Sequence, residues 1–364
     1  MRAGIIRFWP SRQQEHLMTT PKDPRNPVAE VSSTRAISRR LNDFSEFSEV
    51  FAQWKGQFCQ MSRGQFRGSI RVVAGQRVRA FEAETSQSIL TRGMDGEFAT
   101  FLPITRRNEA TIWRGRNLSA GQMIVKLPEA EYHNLTARNT AIRALLVPVQ
   151  LIEESARILT GGKADFQFPT WEAPQIPTRA MNRLESGLDE LMAVALQNPD
   201  FLGSTEGRAF EMDCLRRVIA AVTSSRVAEN HPLGRVSRVS LVRQAGDYMH
   251  AHLDQPLTAL DLCSTLETSD RTLRRVFRET YNLCPIAYFR VIRLHAVRAA
   301  LQAARGSDDS VVRIARRWGF HRLGSFANEY RVQFGELPSH TLGVRGTAVL
   351  QNKTARSSDF ATVG

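Results

Sequence analysis

Cysteine is scarce in this chain. Its 364 residues hold four, at Cys59, Cys214, Cys263 and Cys284. They are too scattered for a Cys-x-x-Cys pair or for the Cys/His spacing of a zinc site. That argues against a disulfide-stapled scaffold and for reduced, buried thiols. Long apolar runs are lacking as well. No stretch approaches the roughly 20 apolar residues of a membrane-spanning helix. The opening MRAGIIRFWPSRQQ has too few apolar residues around Arg7 for a signal peptide, so a cytoplasmic chain is expected. There is no P-loop, no GxGxxG turn and no Ser-His-Asp arrangement. Between residues 36 and 150 His133 is the sole histidine, near Glu129 and Glu131. One histidine does not make the converging ligand cluster of a metal-dependent barrel enzyme. Neither an enzyme nor a cofactor nor a metal is expected. Lysine is missing from residues 235–345 altogether, where 17 arginines face 10 acidic residues, a net charge of +7. The whole chain carries +13, with an isoelectric point near 10.4. Over half of the excess therefore sits in under a third of the length, as a footprint for a polyanion.

Residues 257–281 read LTALDLCSTLETSDRTLRRVFRETY. Leu257, Leu260, Cys263 and Leu266 recur at three-residue steps, which predicts a short helix with one apolar face. Thr258 is placed to cap it, supported by Asp261 three residues on. Glu267-Thr268-Ser269 break that helix, and Ser269 caps the next one, with Asp270 beside its positive end. In the second helix Leu273, Val276, Phe277 and Tyr281 form an apolar stripe. Arg271, Arg274, Arg275 and Arg278 fall within an arc of about 100° on the other side. Guanidinium groups so placed repel one another unless an anion meets them. Arginine also makes bidentate contacts with guanine O6 and N7 or with phosphate. Asn282 tolerates the left-handed conformation of a C-terminal cap, and Pro285 suits the start of a following helix.

From Pro285 to about Ala304, Ile286, Phe289, Ile292, Ala296 and Ala299 keep helical spacing. Twenty residues span roughly 30 Å, close to the roughly 34 Å turn of B-DNA. Such a rod would hold two reading heads in successive major grooves. The loop Gly306-Ser307-Asp308-Asp309 ends it. Residues 310–339, SVVRIARRWGFHRLGSFANEYRVQFGELPS, repeat the plan. Val311, Ile314, Ala315 and Trp318 mark one helix face, Gly319 permits a turn, and Phe326, Tyr330 and Phe334 form the last stripe. Gly324, Ser325 and Asn328 point the other way, flanked by His321, Arg322 and Arg331. This second face is smaller and less basic, and Gly324 weakens its helix. It is expected to contribute positioning more than sequence reading.

Residues 243–343 resemble the DNA-binding domain of AraC/XylS-family transcription regulators. The resemblance is carried by SDRTLRRVFRE (269–279), PIAYFRVIRLHAVRAAL (285–301), IARRWGF (314–320) and FANEYRVQFGELPS (326–339). It implies a sequence-specific regulator acting on double-stranded promoter DNA. The family's base-reading positions fall on Arg271, Arg274 and Arg275, and more loosely on Gly324, Ser325 and Asn328. Thr272 and Arg278 complete the first candidate DNA face. Asn282 departs from the Gly usual in the family. The resemblance also brings in an unidentified small-molecule effector, with RNA polymerase and a second copy of the chain as further partners. The expected location is the cytoplasm, on nucleoid DNA.

Upstream, residues 1–35 have no periodic pattern and read as a disordered tail, as do 345–364. From 36 to 150 the pattern turns to strands: FRGSIRVVA (66–74), RVRAFEAE (77–84), QSILTRG (87–93), EFATFLPI (97–104), EATIWRG (109–115) and GQMIVKLP (121–128). Short, partly alternating and bounded by Gly, Asn or Pro, they predict an antiparallel sandwich or barrel. Trp113 to Pro128 resemble the hairpin that ends the cupin-like sensor domain of the same family, and a barrel of that kind has room for one small ligand. Trp54, Phe66, Phe81, Phe98, Phe101 and Trp113 suit either a pocket lining or a core. Between 151 and 225 the pattern is helical. Leu184, Leu188, Leu191, Met192 and Ala195 form one stripe, and Met212, Leu215, Val218, Ile219 and Val222 another. These helices either complete the core or pair between subunits. Residues 166–177 read as a Pro-rich connector, and 226–240 as a flexible basic linker to a DNA-binding domain at 241–344.

The expected class is α+β. An N-terminal antiparallel β-barrel of cupin-like form, with a helical dimer or linker region, precedes an all-α domain of two helix-turn-helix units joined by a long helix. Two other functions stay open. One is a DNA-tethered enzyme of the alkyl-transfer kind, which needs a reactive Cys in a Pro-Cys-His-like setting. Cys59 sits instead in Gln-Phe-Cys-Gln, and Cys284 precedes Pro285. The other is an architectural DNA-binding protein with no effector.

Overall fold

The computed structural model describes residues 35–50, 56–93, 98–128, 130, 132–159, 173–225, 233–304 and 309–343. The described residues fall into two compact units. Both expected tails (35 excepted), Trp54, Glu129, Glu131, residues 166–172 and 226–232, and Gly306-Ser307-Asp308 lie outside the described residues.

The upstream unit begins with β1 (Arg35–Leu41) and α1 (Phe44–Val50). It continues through β2 (Gly56–Gln60), β3 (Gly68–Ala74), β4 (Arg79–Thr85), β5 (Ile89–Gly93) and β6 (Phe98–Pro103). Then come β7 (Ile112–Trp113), β8 (Arg116–Asn117), β9 (Met123–Lys126), β10 (Tyr132–Leu135) and β11 (Thr140–Pro148). The strands form two sheets, in the orders β1-β3-β4-β11-β6-β9 and β2-β5-β10-β7-β8, and every strand pairing is antiparallel. The α+β class holds. The barrel is instead an open, two-sheet sandwich among the described residues. Closure needs a continuous hydrogen-bonded register around the rim, and β7 and β8, two residues each, are too short to carry it.

Strand β11 explains the layering. Successive side chains on a strand point to opposite faces. Ala144 and Leu146 enter the core between the sheets, with Ile70, Phe81, Leu102 and Ile124, against Ile89 and Trp113 of the five-stranded sheet. Leu145 and Val147 enter a second core on the other side. There the six-stranded sheet meets α2 (Val149–Leu159), α3 (Thr178–Gln197) and α4 (Thr205–Thr223), the last two joined by a 3₁₀ turn at Pro199–Gly203. Leu184, Leu188, Leu191, Met192, Ala195, Leu215, Val218, Ile219 and Val222 are all buried in this second core. The two apolar stripes therefore complete the core of this unit. At roughly 1.5–3 kcal/mol per fully buried aliphatic side chain, that burial outweighs the weak start of α3, whose N-cap, Pro177, offers no side-chain bond.

Two carboxylates bind the layers together. Glu82, 2% exposed, meets Arg71, Arg107 and Arg143, and Arg143 continues to Asp189 of α3 at 2.7 Å. Glu211 of α4 is buried against the β3–β4 turn and accepts the Arg77 N–H at 3.2 Å. A Cβ at Gly75 would fall on its Oε1, so the turn needs glycine there. Burial pushes the Glu211 carboxyl up to about 7.

Two further expectations need correction. Trp113 to Pro128 is not one hairpin. Arg114 (φ 48°) and Gly115 (φ 74°) turn β7 into β8 within the five-stranded sheet, whereas β9 pairs with β6 in the other. Nor does it end the strand region, since β10 and β11 follow. Phe66, Phe81, Phe101 and Trp113 are core residues, and Phe98 lies under the Arg79 guanidinium at 4.3 Å.

The downstream unit is helical: α5 (Leu233–Ala251), α6 (Ala259–Thr265), α7 (Asp270–Tyr281), α8 (Pro285–Ala303), α9 (Val311–Arg317) and α10 (Leu323–Phe334). Residues 338–343 form a further helical turn. Helix α5 begins inside the stretch expected to be a flexible linker and buries Val242, Ala245 and Met249. Among the described residues no helix is long and apolar enough to cross a membrane.

Candidate nucleic-acid interface

The first head is assembled by its caps. Thr258 Oγ1 accepts the Asp261 N–H at 3.2 Å, and the Asp261 carboxylate accepts the Thr258 N–H at 2.8 Å, a reciprocal capping box for α6. Glu267 takes a left-handed turn with φ 48°. Ser269 caps α7 by accepting the Thr272 N–H at 3.2 Å. The Thr272 hydroxyl is itself bonded to Ser269 Oγ at 2.9 Å, so this half-buried side chain is engaged in the cap. Asn282 ends α7 at φ 55°, its N–H donating to Arg278 O, and Pro285 opens α8.

The apolar face of α6 differs from the expected one. Leu260 is 74% exposed, while Leu262 is fully buried. A strict three-residue step drifts around a helix, and Ala259, Leu262, Cys263 and Leu266 carry the spacing of a single face. In α7 the stripe is as expected: Leu273, Val276, Phe277 and Tyr281 are buried. Tyr281 stacks on Tyr288 of α8 at 4.5 Å, and Phe277 meets both rings edge-on. On the opposite side Arg271, Arg274, Arg275 and Arg278 are all exposed. Arg274 Nε donates to both Asp270 oxygens, at 2.8 and 2.7 Å. That ion pair and the Asp270 charge raise the Arg274 pKa. Arg271, Arg275 and Arg278 form no ion pair among the described residues.

The second head repeats the register. Ser310 caps α9, and a positive φ follows nine residues later at Gly319 (77°), as Glu267 follows Thr258. The left-handed cap Gly335 comes thirteen residues after Arg322, as Asn282 comes after Ser269. A proline stands three residues beyond each cap, at Pro338 and Pro285. His321, Arg322, Gly324, Ser325, Asn328 and Arg331 are exposed, as expected. Several of these face one another, however. Ser325 Oγ donates to Arg322 O at 2.9 Å, and Arg331 Nη2 donates to Asn328 Oδ1 at 3.0 Å.

Sequence reasoning missed what α8 does for this head. Arg290 forks onto the Glu329 carboxylate of α10, with Nη2 at 2.5 Å from Oε1. Arg293 lies between the Phe289 and Phe320 rings, 5.0 and 5.6 Å from their centroids. Its Nη2 occupies the space beside Gly319, 1.4 Å from where a Cβ would stand. Burial and the Arg290 charge lower the Arg293 pKa. Arg298, 4% exposed, donates to Glu336 at 2.6 Å and to the Tyr330 hydroxyl at 3.3 Å. Three arginines counted toward a polyanion footprint thus hold the fold. The available signal was Glu329 and Glu336, two acids in an otherwise arginine-rich segment.

Cys59 and His133, the cysteine and the histidine of the upstream unit weighed for chemistry above, are both buried. Burial pushes the Cys59 thiol up to about 12, the opposite of an activated nucleophile. Burial, with Arg92 and Arg114 nearby, presses His133 down to about 3. Among the described residues no group of three His, Cys, Asp or Glu side chains could hold a metal ion.

A family profile described as "Helix-turn-helix domain" matches residues 262–343. The chain is 37% identical over 102 residues to the "Probable thc operon regulatory protein" of Rhodococcus erythropolis, covering 28% of this chain and 31% of that protein. It is 29% identical over 113 residues to "XylDLEGF operon transcriptional activator 2" of Pseudomonas putida, covering 31% of this chain and 72% of that one. The match to the Rhodococcus protein thus spans about a third of that protein's length. Among solved structures, a probable AraC family transcriptional regulator from Rhodopseudomonas palustris is 32% identical, covering 28% of this chain and 94% of that one, with a TM-score of 0.27. The AraC-like transcriptional activator CuxR is 14% identical, covering 72% of this chain and 94% of that one, with a TM-score of 0.39. The downstream unit is a helix-turn-helix domain. It is of the AraC/XylS type.

Proposed function

We propose that the whole chain is a sequence-specific, DNA-binding transcription regulator. In this reading residues 241–344 dock on promoter DNA, and residues 36–225 bind a small-molecule effector. The observation that carries it is the exposed face of α7. Arg271, Arg275 and Arg278 project from a capped helix with no ion pair among the described residues, and Arg274 stands beside them on Asp270. A like-charged face of this kind is relieved by phosphates and guanine edges. The first head reads bases through Arg271, Arg274 and Arg275, and the second chiefly positions the rod on the backbone. The effector alters promoter engagement only through its differential affinity for two states of the protein. RNA polymerase and a second copy of the chain are the further partners, on DNA in the cytoplasm.

The test is binding of the full chain to promoter duplexes by fluorescence anisotropy at several salt concentrations. Six to ten phosphate contacts predict a loss of affinity of about 10³–10⁵ between 50 and 200 mM salt. A flat salt response, or equal affinity for a scrambled duplex, refutes sequence-specific DNA binding.

A further inference from the structure

Helices α3 and α4 turn one side to the core and leave the other in solvent. On that outer side Thr178, Arg179, Asn182, Arg183, Ser186 and Arg217 line an open cleft of about 550 Å³. Each of the six side chains carries a hydrogen-bond donor, three are guanidiniums, and no carboxylate lines the cleft. Arg217 is held in place: its Nε donates to Asp213 at 2.6 Å and its Nη1 to the Arg183 carbonyl at 3.0 Å, with Glu190 at 3.8 Å. It crosses α3 at Gly187, where an added Cβ would come within 2.9 Å of Arg217 Cδ. Asp213 and Glu190 offset the charge of Arg217. Arg179 and Arg183 form no ion pair among the described residues, so their charge is left to the cleft. The backbone adds to it. Helix α3 has no side-chain N-cap and no acidic residue in its first turn, which leaves the positive end of a 20-residue helix open beside Arg179.

We propose that this cleft binds a small phosphoryl-bearing anion. Arg179 and Arg183 lie one turn apart on α3, and so do Asn182 and Ser186. These two parallel rows of donors suit an anion with several oxygens better than a two-oxygen carboxylate, which one guanidinium fork would satisfy. The volume exceeds that of a single phosphate and fits a diphosphate or a phosphorylated metabolite. The ligand is a free small molecule, and the site stands apart from the DNA-binding reading because it lies on α3 and α4 alone.

The experiment titrates the full chain with pyrophosphate at constant ionic strength and reads hydrogen exchange across residues 178–187. Wild-type protein should gain protection there, with sulfate and chloride giving less. The R179A/R183A double variant should lose the protection and bind pyrophosphate at least about tenfold more weakly, while keeping the wild-type melting temperature. Arg275→Ala should keep the protection, because it alters only the DNA-facing helix. A separate arm with a short duplex identifies the phosphate source. The proposal is overturned if protection follows ionic strength alone, if the double variant retains it, or if the duplex but not pyrophosphate produces it. Failure of promoter binding with this protection intact would refute the DNA-binding reading and leave the cleft standing.

Discussion

In the first head the outward helix α7 is held from beneath by rings, Phe277 and Tyr281 against Tyr288. In the second, α10 buries Phe326, Tyr330 and Phe334 but is also tied to α8 by the Arg290–Glu329 pair, while Arg298 of α8 holds the Tyr330 hydroxyl and, just past the end of α10, Glu336. The consequence is a different surface charge on two helices of the same register. Where rings do the holding, the arginines remain outside. Where ion pairs do part of it, guanidiniums of α8 are engaged, Arg298 in the interior and Arg290 at the surface, and the outward face keeps small and locally bonded side chains such as Ser325 and Asn328. An arginine count cannot tell these two uses apart. What an arginine faces can.

The sharpest way to break this comparison is at the two turns. Gly319→Ala should destabilise the downstream unit by more than about 2 kcal/mol in urea melts. A left-handed non-glycine residue costs about 1–2 kcal/mol, and Arg293 must also leave its slot. An unchanged melt would mean that the Arg293 packing contributes nothing. Next in size is base reading. Arg275→Ala should remove about 1–3 kcal/mol of discrimination between specific and scrambled duplexes, and Asn328→Ala less than about 0.5 kcal/mol. Equal losses would make the two heads equivalent readers. At the first turn the same logic runs in reverse. Glu267→Gly should stabilise by about 0.5–1 kcal/mol, since relief of the left-handed conformation exceeds the entropy cost of glycine. Smallest is the exposed pair: Glu329→Gln should cost less than about 1 kcal/mol, and less still in high salt.

The helix-turn-helix pair was legible because its signals are local. Thr258, Ser269, Asn282 and Pro285 act on their own turn of chain, so residue type and spacing suffice to place them. Leu260 was misplaced because a three-residue step resembles a helical stripe over a few residues and then drifts off it. Six strand segments were legible from alternation and turn residues. Strand β11 was not, since TAIRALLVP is buried on both faces and shows no alternation. That the sheets stay open among the described residues, like the hold of Arg290, Arg293 and Arg298 on the second head, depends on contacts between distant segments, which periodicity does not report.

Strand β11 has one more consequence. Its odd residues Leu145 and Val147 are part of the core under the helix pair, and its even residues Ala144 and Leu146 are part of the core between the sheets. Packed interiors yield little volume, so the strand acts as a party wall between two rooms. A side chain displaced in the sandwich presses on the same backbone that seats α3 and α4. The upstream unit thereby has a mechanical link from its interior to its helical exterior, which β11 shares with the other strands that face both cores, among them β4, β6 and β9.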